Sequence, residues 1–121
     1  MIHIVDDDKY VLRGFQILLK SEGLESTAYE SAEEFINSWD EDEDDILILD
    51  IHMPGMSGCD LLGNLEKRNL HLPVIIVTAY DEPASRTCSK KYGTLAYLLK
   101  PVESETLLKL IKISHKKLID L

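Results

Sequence analysis

Aromatic residues, cysteine and proline are all scarce in this chain of 121 residues, and its apolar runs stop after a few residues. A membrane-spanning helix takes about 20 apolar residues, and a secretory leader takes a basic start followed by an apolar stretch. Neither is present, so a soluble, cytoplasmic protein without a membrane partner is expected. Only two cysteines occur, Cys59 and Cys88, without the spacing of a metal or redox motif. Each falls in a predicted helix and is read as a reduced structural thiol. Positive charge is also short: 13 basic residues against 22 acidic ones leave a net charge of -9, which argues against direct nucleic acid binding. The run Asp40-Glu41-Asp42-Glu43-Asp44-Asp45 lacks the glycine and spaced ligands of a calcium loop and reads as a solvated loop. With 45% hydrophobic residues, residues 1–121 suffice for one core and one domain.

What the chain does have is carboxylates where apolar runs end. Ile46-Leu47-Ile48-Leu49 stops on Asp50 and is followed by Met53-Pro54-Gly55-Met56-Ser57-Gly58, while Ile2-His3-Ile4-Val5 runs into Asp6-Asp7-Asp8. An acid at the carboxyl end of a buried strand marks where open α/β sheets place their chemistry. Asp50 alone could be a metal ligand, a catalytic acid or a cap. Several carboxylates at neighbouring strand ends repel one another, so a hard divalent cation or a raised pKa must relieve them.

Apolar runs and amphipathic segments alternate along the chain. Strands are predicted over 1–5, 24–28, 45–50, 73–78 and 95–99, three of them dense in Ile, Leu and Val as strands buried on both faces require. Helices are predicted over 9–21, 31–39, 58–67, 82–92 and 103 to about 117. Asp8 reads as an N-cap. Ser31 with Glu34 and Ser57 with Asp60 read as capping boxes, Asp81 precedes Pro83 in a first turn, and Gly23 and Gly93 are suitable stops. Five β-α units with right-handed crossovers imply a doubly wound parallel sheet with helices on both faces. Its carboxyl edge then collects Asp6-Asp7-Asp8, Asp50, Thr78 and Lys100. Acids, a hydroxyl and a lysine on one rim suit phosphoryl chemistry: metal and lysine neutralise oxygens, the hydroxyl hydrogen-bonds one, and a carboxylate accepts the group.

In these segments the chain resembles the receiver domains of bacterial two-component response regulators. Val5-Asp6-Asp7-Asp8 is similar to the family's acidic pair, Leu49-Asp50-Ile51-His52-Met53-Pro54-Gly55-Met56-Ser57-Gly58 to its phosphoacceptor segment, Val77-Thr78-Ala79 to its threonine, and Leu99-Lys100-Pro101 to its lysine-proline. Thr78 lies 28 positions after Asp50, and Lys100 another 22 beyond, as the family spaces them. The resemblance implies a flavodoxin-like (βα)5 three-layer sandwich with strand order 2-1-3-4-5. It makes Asp50 the nucleophile that takes a phosphoryl group from a sensor histidine kinase or phosphotransfer protein. Asp7, Asp50 and the backbone carbonyl of His52 would ligate Mg²⁺, with Mn²⁺ as a substitute, and Asp6 would hold a metal-bound water. Lys100 and Thr78 would contact phosphoryl oxygens, as would the backbone N–H groups of Ala79 and Ile51. A cis Lys100–Pro101 bond is implied, and Tyr97 stands where the family has its switch aromatic. Coupled to Thr78, it would reshape the surface made by the fourth helix, fifth strand and fifth helix, which would act on a C-terminal output domain, a partner protein or a second copy of the chain. Such a module is a switch that phosphorylates and dephosphorylates itself, not an enzyme acting on other substrates.

Some positions depart from the family pattern. Thr94 stands where alanine is usual and Ala96 where an acid often precedes the switch aromatic, while Tyr80 is bulky enough to limit attack of water on the phosphoryl group. His52 is read as a solvent-facing loop residue. The runner-up function is a degenerate receiver, an interaction module independent of phosphorylation. A phosphatase on the same fold would usually need a second acid two residues after the nucleophile, where His52 stands. A flavin module lacks its Ser/Thr/Gly-rich loop after the first strand.

Overall fold

The apolar runs become the strands of one sheet in a computed structural model that describes residues 1–41 and 45–119, with side chains described up to residue 114. The strands are β1 (Ile2–Val5), β2 (Ser26–Tyr29), β3 (Ile46–Leu49), β4 (Val74–Thr78) and β5 (Ala96–Leu99). They alternate with α1 (Lys9–Ser21), α2 (Ala32–Ser38), α3 (Gly58–Lys67), α4 (Pro83–Lys91) and α5 (Ser104–Ile119). All pairings are parallel and the order is β2-β1-β3-β4-β5, the flavodoxin-like arrangement expected. β1, β3 and β4 are buried along their whole length because helices cover both faces.

Side chains that alternate along each strand feed two separate cores. Leu47 and Leu49 point into the layer under α2, α3 and α4, with Phe35, Leu61 and Leu65. Ile46 and Ile48 point to the opposite face, with Leu12, Leu19, Leu107 and Ile111 of α1 and α5. Asp8 caps α1 by accepting from the Tyr10 N–H at 2.9 Å. Ser57 and Asp60 form a reciprocal capping box. The box expected at Ser31 is half made, since the Glu34 carboxylate accepts from the N–H of Glu30 instead. Pro83 opens α4 just after Asp81, as expected; Glu82 holds the cap position without a side-chain bond, and Asp81 pairs with Arg86.

Two further expectations, for Asp45 and for the cysteines, are overturned. Of the acidic run, residues 42–44 lie outside the described residues, but Asp45 is no solvated loop residue: it is only 2% exposed. Its oxygens meet His3 Nε2 at 3.0 Å and the Trp39 indole N–H at 2.7 Å, with the Met1 ammonium 3.6 Å away. His3 Nδ1 meets the Tyr29 hydroxyl at 2.9 Å, and His3, Tyr29, Phe35 and Trp39 stack edge to face and face to face. Three of the eight aromatics, Tyr29, Phe35 and Trp39, are thus gathered with His3 at one place, where polar partners let a carboxylate be buried. In Asp45→Asn the amide still accepts from Trp39 and donates to a tautomerised His3. Only the charge-assisted strength is lost, and chemical denaturation should register about 1 kcal/mol less stability.

The cysteines, expected as separate reduced thiols, are joined as a disulfide between α3 and α4, with Cα atoms 6.1 Å apart. Their separation of 29 residues concealed this. The crossover through β4 returns α4 beside α3 on the same face of the sheet, so distant positions become neighbours.

Candidate functional site

Parallel strands deliver their carboxyl ends to one edge, and four of them place side chains there. After β1, Asp6 is 2% exposed and Asp7 lies open to solvent. After β3 comes the buried Asp50. Carboxylate oxygens of Asp6, Asp7 and Asp50 lie within 4.8 Å of one another, and a site of hard oxygen donors so crowded suits a divalent cation. After β5, Lys100 reaches back with its ammonium 2.7 Å from Asp6 and 3.9 Å from Asp50. The Lys100–Pro101 peptide is cis.

One lysine does not neutralise three acids. Burial, reinforced by the negative charge of Asp6, raises the Asp50 pKa to about 6, against the pull of Lys100 and of the His52 N–H 3.4 Å away. A carboxyl with that pKa is still largely ionised at neutral pH.

The loop after Asp50 is pinned twice. Gly58 opens α3 so close to the strand end that a Cβ there would lie 2.5 Å from the Asp50 carbonyl oxygen, and its N–H donates to the Ile51 carbonyl at 3.0 Å. From α2, the Glu33 carboxylate accepts from the Met56 N–H at 2.6 Å, a bond that lowers the Glu33 pKa. Nothing in the local sequence ties Glu33 to that loop; the pairing comes from the placing of α2 beside the β3–α3 turn.

Thr78 is fully buried at the end of β4, where its hydroxyl donates to the Tyr80 carbonyl and accepts from the Tyr80 N–H, each at 3.2 Å. Ile51 is buried and Ala79 exposed, each following its strand-end residue. His52 is half-buried rather than solvent-facing. Its Nε2 is shielded 3.8 Å from a Glu82 oxygen, and its ring meets the exposed Tyr80 edge-on. Tyr80 and Glu82 of the loop after β4 lie against it, which the composition of its own loop did not reveal.

Tyr97 lies outside the carboxylate cluster. On β5 it pairs in register with Ile76, and its hydroxyl donates to Asp81 at 3.3 Å. Arg86 binds both oxygens of Asp81, at 2.6 and 2.7 Å, and lays its guanidinium 5.0 Å from the centre of the Tyr97 ring. Those hydrogen bonds hold the Asp81 carboxyl below the usual range, while burial, then the Asp81 charge, push the Tyr97 phenol up. From sequence Asp81 was read only as a start signal before Pro83, and Arg86 was not singled out. Their spacing of five is not a regular helical pairing, because Asp81 precedes the helix.

The model of the response regulator receiver domain family matches residues 2–112. Nodulation protein W of Bradyrhizobium diazoefficiens is 33% identical over 89% of this chain and 48% of its own length. The DNA-binding transcriptional regulator NtrC of Klebsiella pneumoniae is 35% identical over 93% of this chain and 24% of its own. The chain therefore spans about half or less of the length of these relatives. A CheY-like response regulator receiver domain protein from Methanospirillum hungatei superimposes with a TM-score of 0.87 at 30% identity, over 98% of this chain and 95% of that one. With its strand order, its acidic rim and its match along nearly the whole sequence, this chain belongs to the response regulator receiver domain family.

Proposed function

We propose that Asp50 receives a phosphoryl group from the phosphohistidine of a sensor kinase or phosphotransfer protein, and that the resulting charge resets the α4–β5–α5 face. The observation that carries this reading is the convergence of an ionised Asp50, two further acids and Lys100 on one rim. Asp7, Asp50 and the His52 carbonyl would hold Mg²⁺, with a metal-bound water on Asp6. When bound, the cation supplies the neutralising charge that lets anions approach.

A carboxylate oxygen of Asp50 attacks phosphorus in line; the O–P bond forms as the P–N bond breaks, and its electron pair stays on the leaving imidazole. Lys100 turns from Asp6 to a phosphoryl oxygen, releasing its ion pair as the new charge arrives. The Thr78 hydroxyl leaves the Tyr80 carbonyl for a second oxygen, and the N–H groups of Ala79 and Ile51 contribute to the cradle. Movement of Thr78 opens space towards which Tyr97 turns, so Asp81 and Arg86 lose their partner. A face altered in this way suits a C-terminal output domain, a partner protein or a second copy of the chain. Among the described residues no helix is long and apolar enough to cross a membrane, and a cytoplasmic setting fits a kinase donor.

Incubation with Mg²⁺ and acetyl phosphate tests the central step. The intact mass should rise by one phosphoryl group, the adduct should be cleaved by hydroxylamine, and chelator should prevent it. Bound Mg²⁺ without an adduct would point to the interaction module that works without phosphorylation.

Arg86→Ala removes the cation that holds Asp81 and Tyr97 in the resting arrangement. Because phosphorylation and the inward Tyr97 favour each other, acetyl phosphate should then label Asp50 faster. The ion pair is exposed, so the increase should stay within about fivefold. An unchanged labelling rate would separate Tyr97 from the phosphorylation equilibrium.

A further inference from the structure

We infer that Cys59 and Cys88 form a reversible redox modification site whose disulfide fastens α4 and thereby limits the response of the signalling face. Cys59 stands in the first turn of α3, a helix that buries Gly58, Leu61, Leu62 and Leu65 against the sheet. α4 is attached far less firmly: of its nine residues only Ser85 and Cys88 are buried. One of the two buried side chains that hold α4 down is thus half of a covalent tie to its better anchored neighbour. The same helix carries Arg86, which stacks on Tyr97. A tie at Cys88 therefore restrains the element on which the resting position of Tyr97 depends. With the thiols reduced, α4 is held by its two small buried side chains and the exposed contacts of Arg86.

The chemistry requires a two-electron oxidant, and a low-molecular-weight disulfide such as oxidised glutathione serves. Cys59 is partly exposed and Cys88 is 5% exposed, so Cys59 is the accessible sulfur. Its thiolate attacks the oxidant, forming a mixed disulfide and releasing one glutathione thiolate. The Cys88 thiolate then attacks the Cys59 sulfur, closing the Cys59–Cys88 bond and expelling the second. The two protons from the cysteines end on two reduced glutathione molecules. Cα atoms 6.1 Å apart lie within the range that a disulfide bridges without backbone movement.

The consequence for signalling rests on the phosphoacceptor reading above; the effect on α4 does not. The protein is equilibrated with excess oxidised or reduced glutathione, its free thiols counted by alkylation and intact mass, and amide hydrogen exchange followed over residues 83–91, before and after acetyl phosphate with Mg²⁺. Oxidation should remove both alkylatable thiols and slow exchange in α4 by about tenfold or more, while exchange in α1 stays unchanged. Phosphorylation should alter α4 exchange in the reduced form and much less in the oxidised one. Cys59→Ser, and independently Cys88→Ala, should make α4 indifferent to the oxidant. Two free thiols under excess oxidised glutathione, or equal α4 exchange in the two redox forms, would overturn the inference. An absent phosphoryl adduct in both forms would instead overturn the phosphoacceptor reading, with α4 protection still deciding the role of the crosslink.

Discussion

With Mg²⁺ and acetyl phosphate, Asp50→Asn should gain no phosphoryl mass, and in chelator near neutral pH it should be more stable than the wild type by about 2 kcal/mol. Loss of the adduct follows because an amide offers no nucleophilic carboxylate oxygen. The gain in stability follows from the crowding that makes the site useful. Folding raises the Asp50 pKa from 3.8 to about 6, chiefly by burial and then by Asp6. The folded state therefore holds that proton more tightly than the unfolded one. The stability this confers is complete below about 3.8 and is lost as pH rises through about 6. Over that range the shift corresponds to about 3 kcal/mol, which solvent screening at the open rim reduces to about 2. Asparagine never ionises, so the difference between variant and wild type should open across that window and close in acid. Adding Mg²⁺ should stabilise the wild type more than the variant. Equal unfolding free energies across the whole pH range would show that Asp50 is not under electrostatic pressure.

Gly58→Ala should cost about 2 kcal/mol in unfolding free energy and slow phosphoryl transfer to Asp50. Its Cβ would stand 2.5 Å from the Asp50 carbonyl oxygen and 2.9 Å from the Ile51 Cα, both backbone atoms that no rotamer change can move aside. Such overpacking costs about 3 kcal/mol. Alanine's better helix propensity returns about 1 kcal/mol at this first position of α3, so the clash prevails. The strand end must retreat, and a nucleophile displaced by a fraction of an ångström loses in-line geometry. Slow phosphorylation with unchanged stability, or the reverse, would break the link between that close approach and the chemistry.

How much of this was legible in the sequence depended on the range of the interactions. Runs such as Ile46–Leu49 and Val74–Thr78 are apolar on both faces, and only strands covered on both sides tolerate that, so the layered fold could be read directly. α1 and α3 were placed to the residue because Asp8 and Ser57 cap them through neighbours two or three positions away. Asp45 was misplaced because its partners His3 and Trp39 belong to other elements and its acidic neighbours suggested solvent. Cys59 with Cys88, and Glu33 with Met56, were missed for the same reason. The candidate-site residues at the four strand ends were visible because a parallel sheet converts order along the chain into adjacency on one rim. The Asp81–Arg86–Tyr97 contact was not, since it forms across a loop, a helix and a strand.

The last strand of the sheet has a further consequence. Among the described residues β5 pairs on one side only, with β4, and Leu99 is 45% exposed at its end. α4 belongs to one helical layer and α5 to the other, so the face between them wraps round an unprotected strand edge. Open edges invite other strands to add to them. A ligand that clasps both helices would shield this one, so the strand most open to unwanted pairing would be the one such a ligand covers.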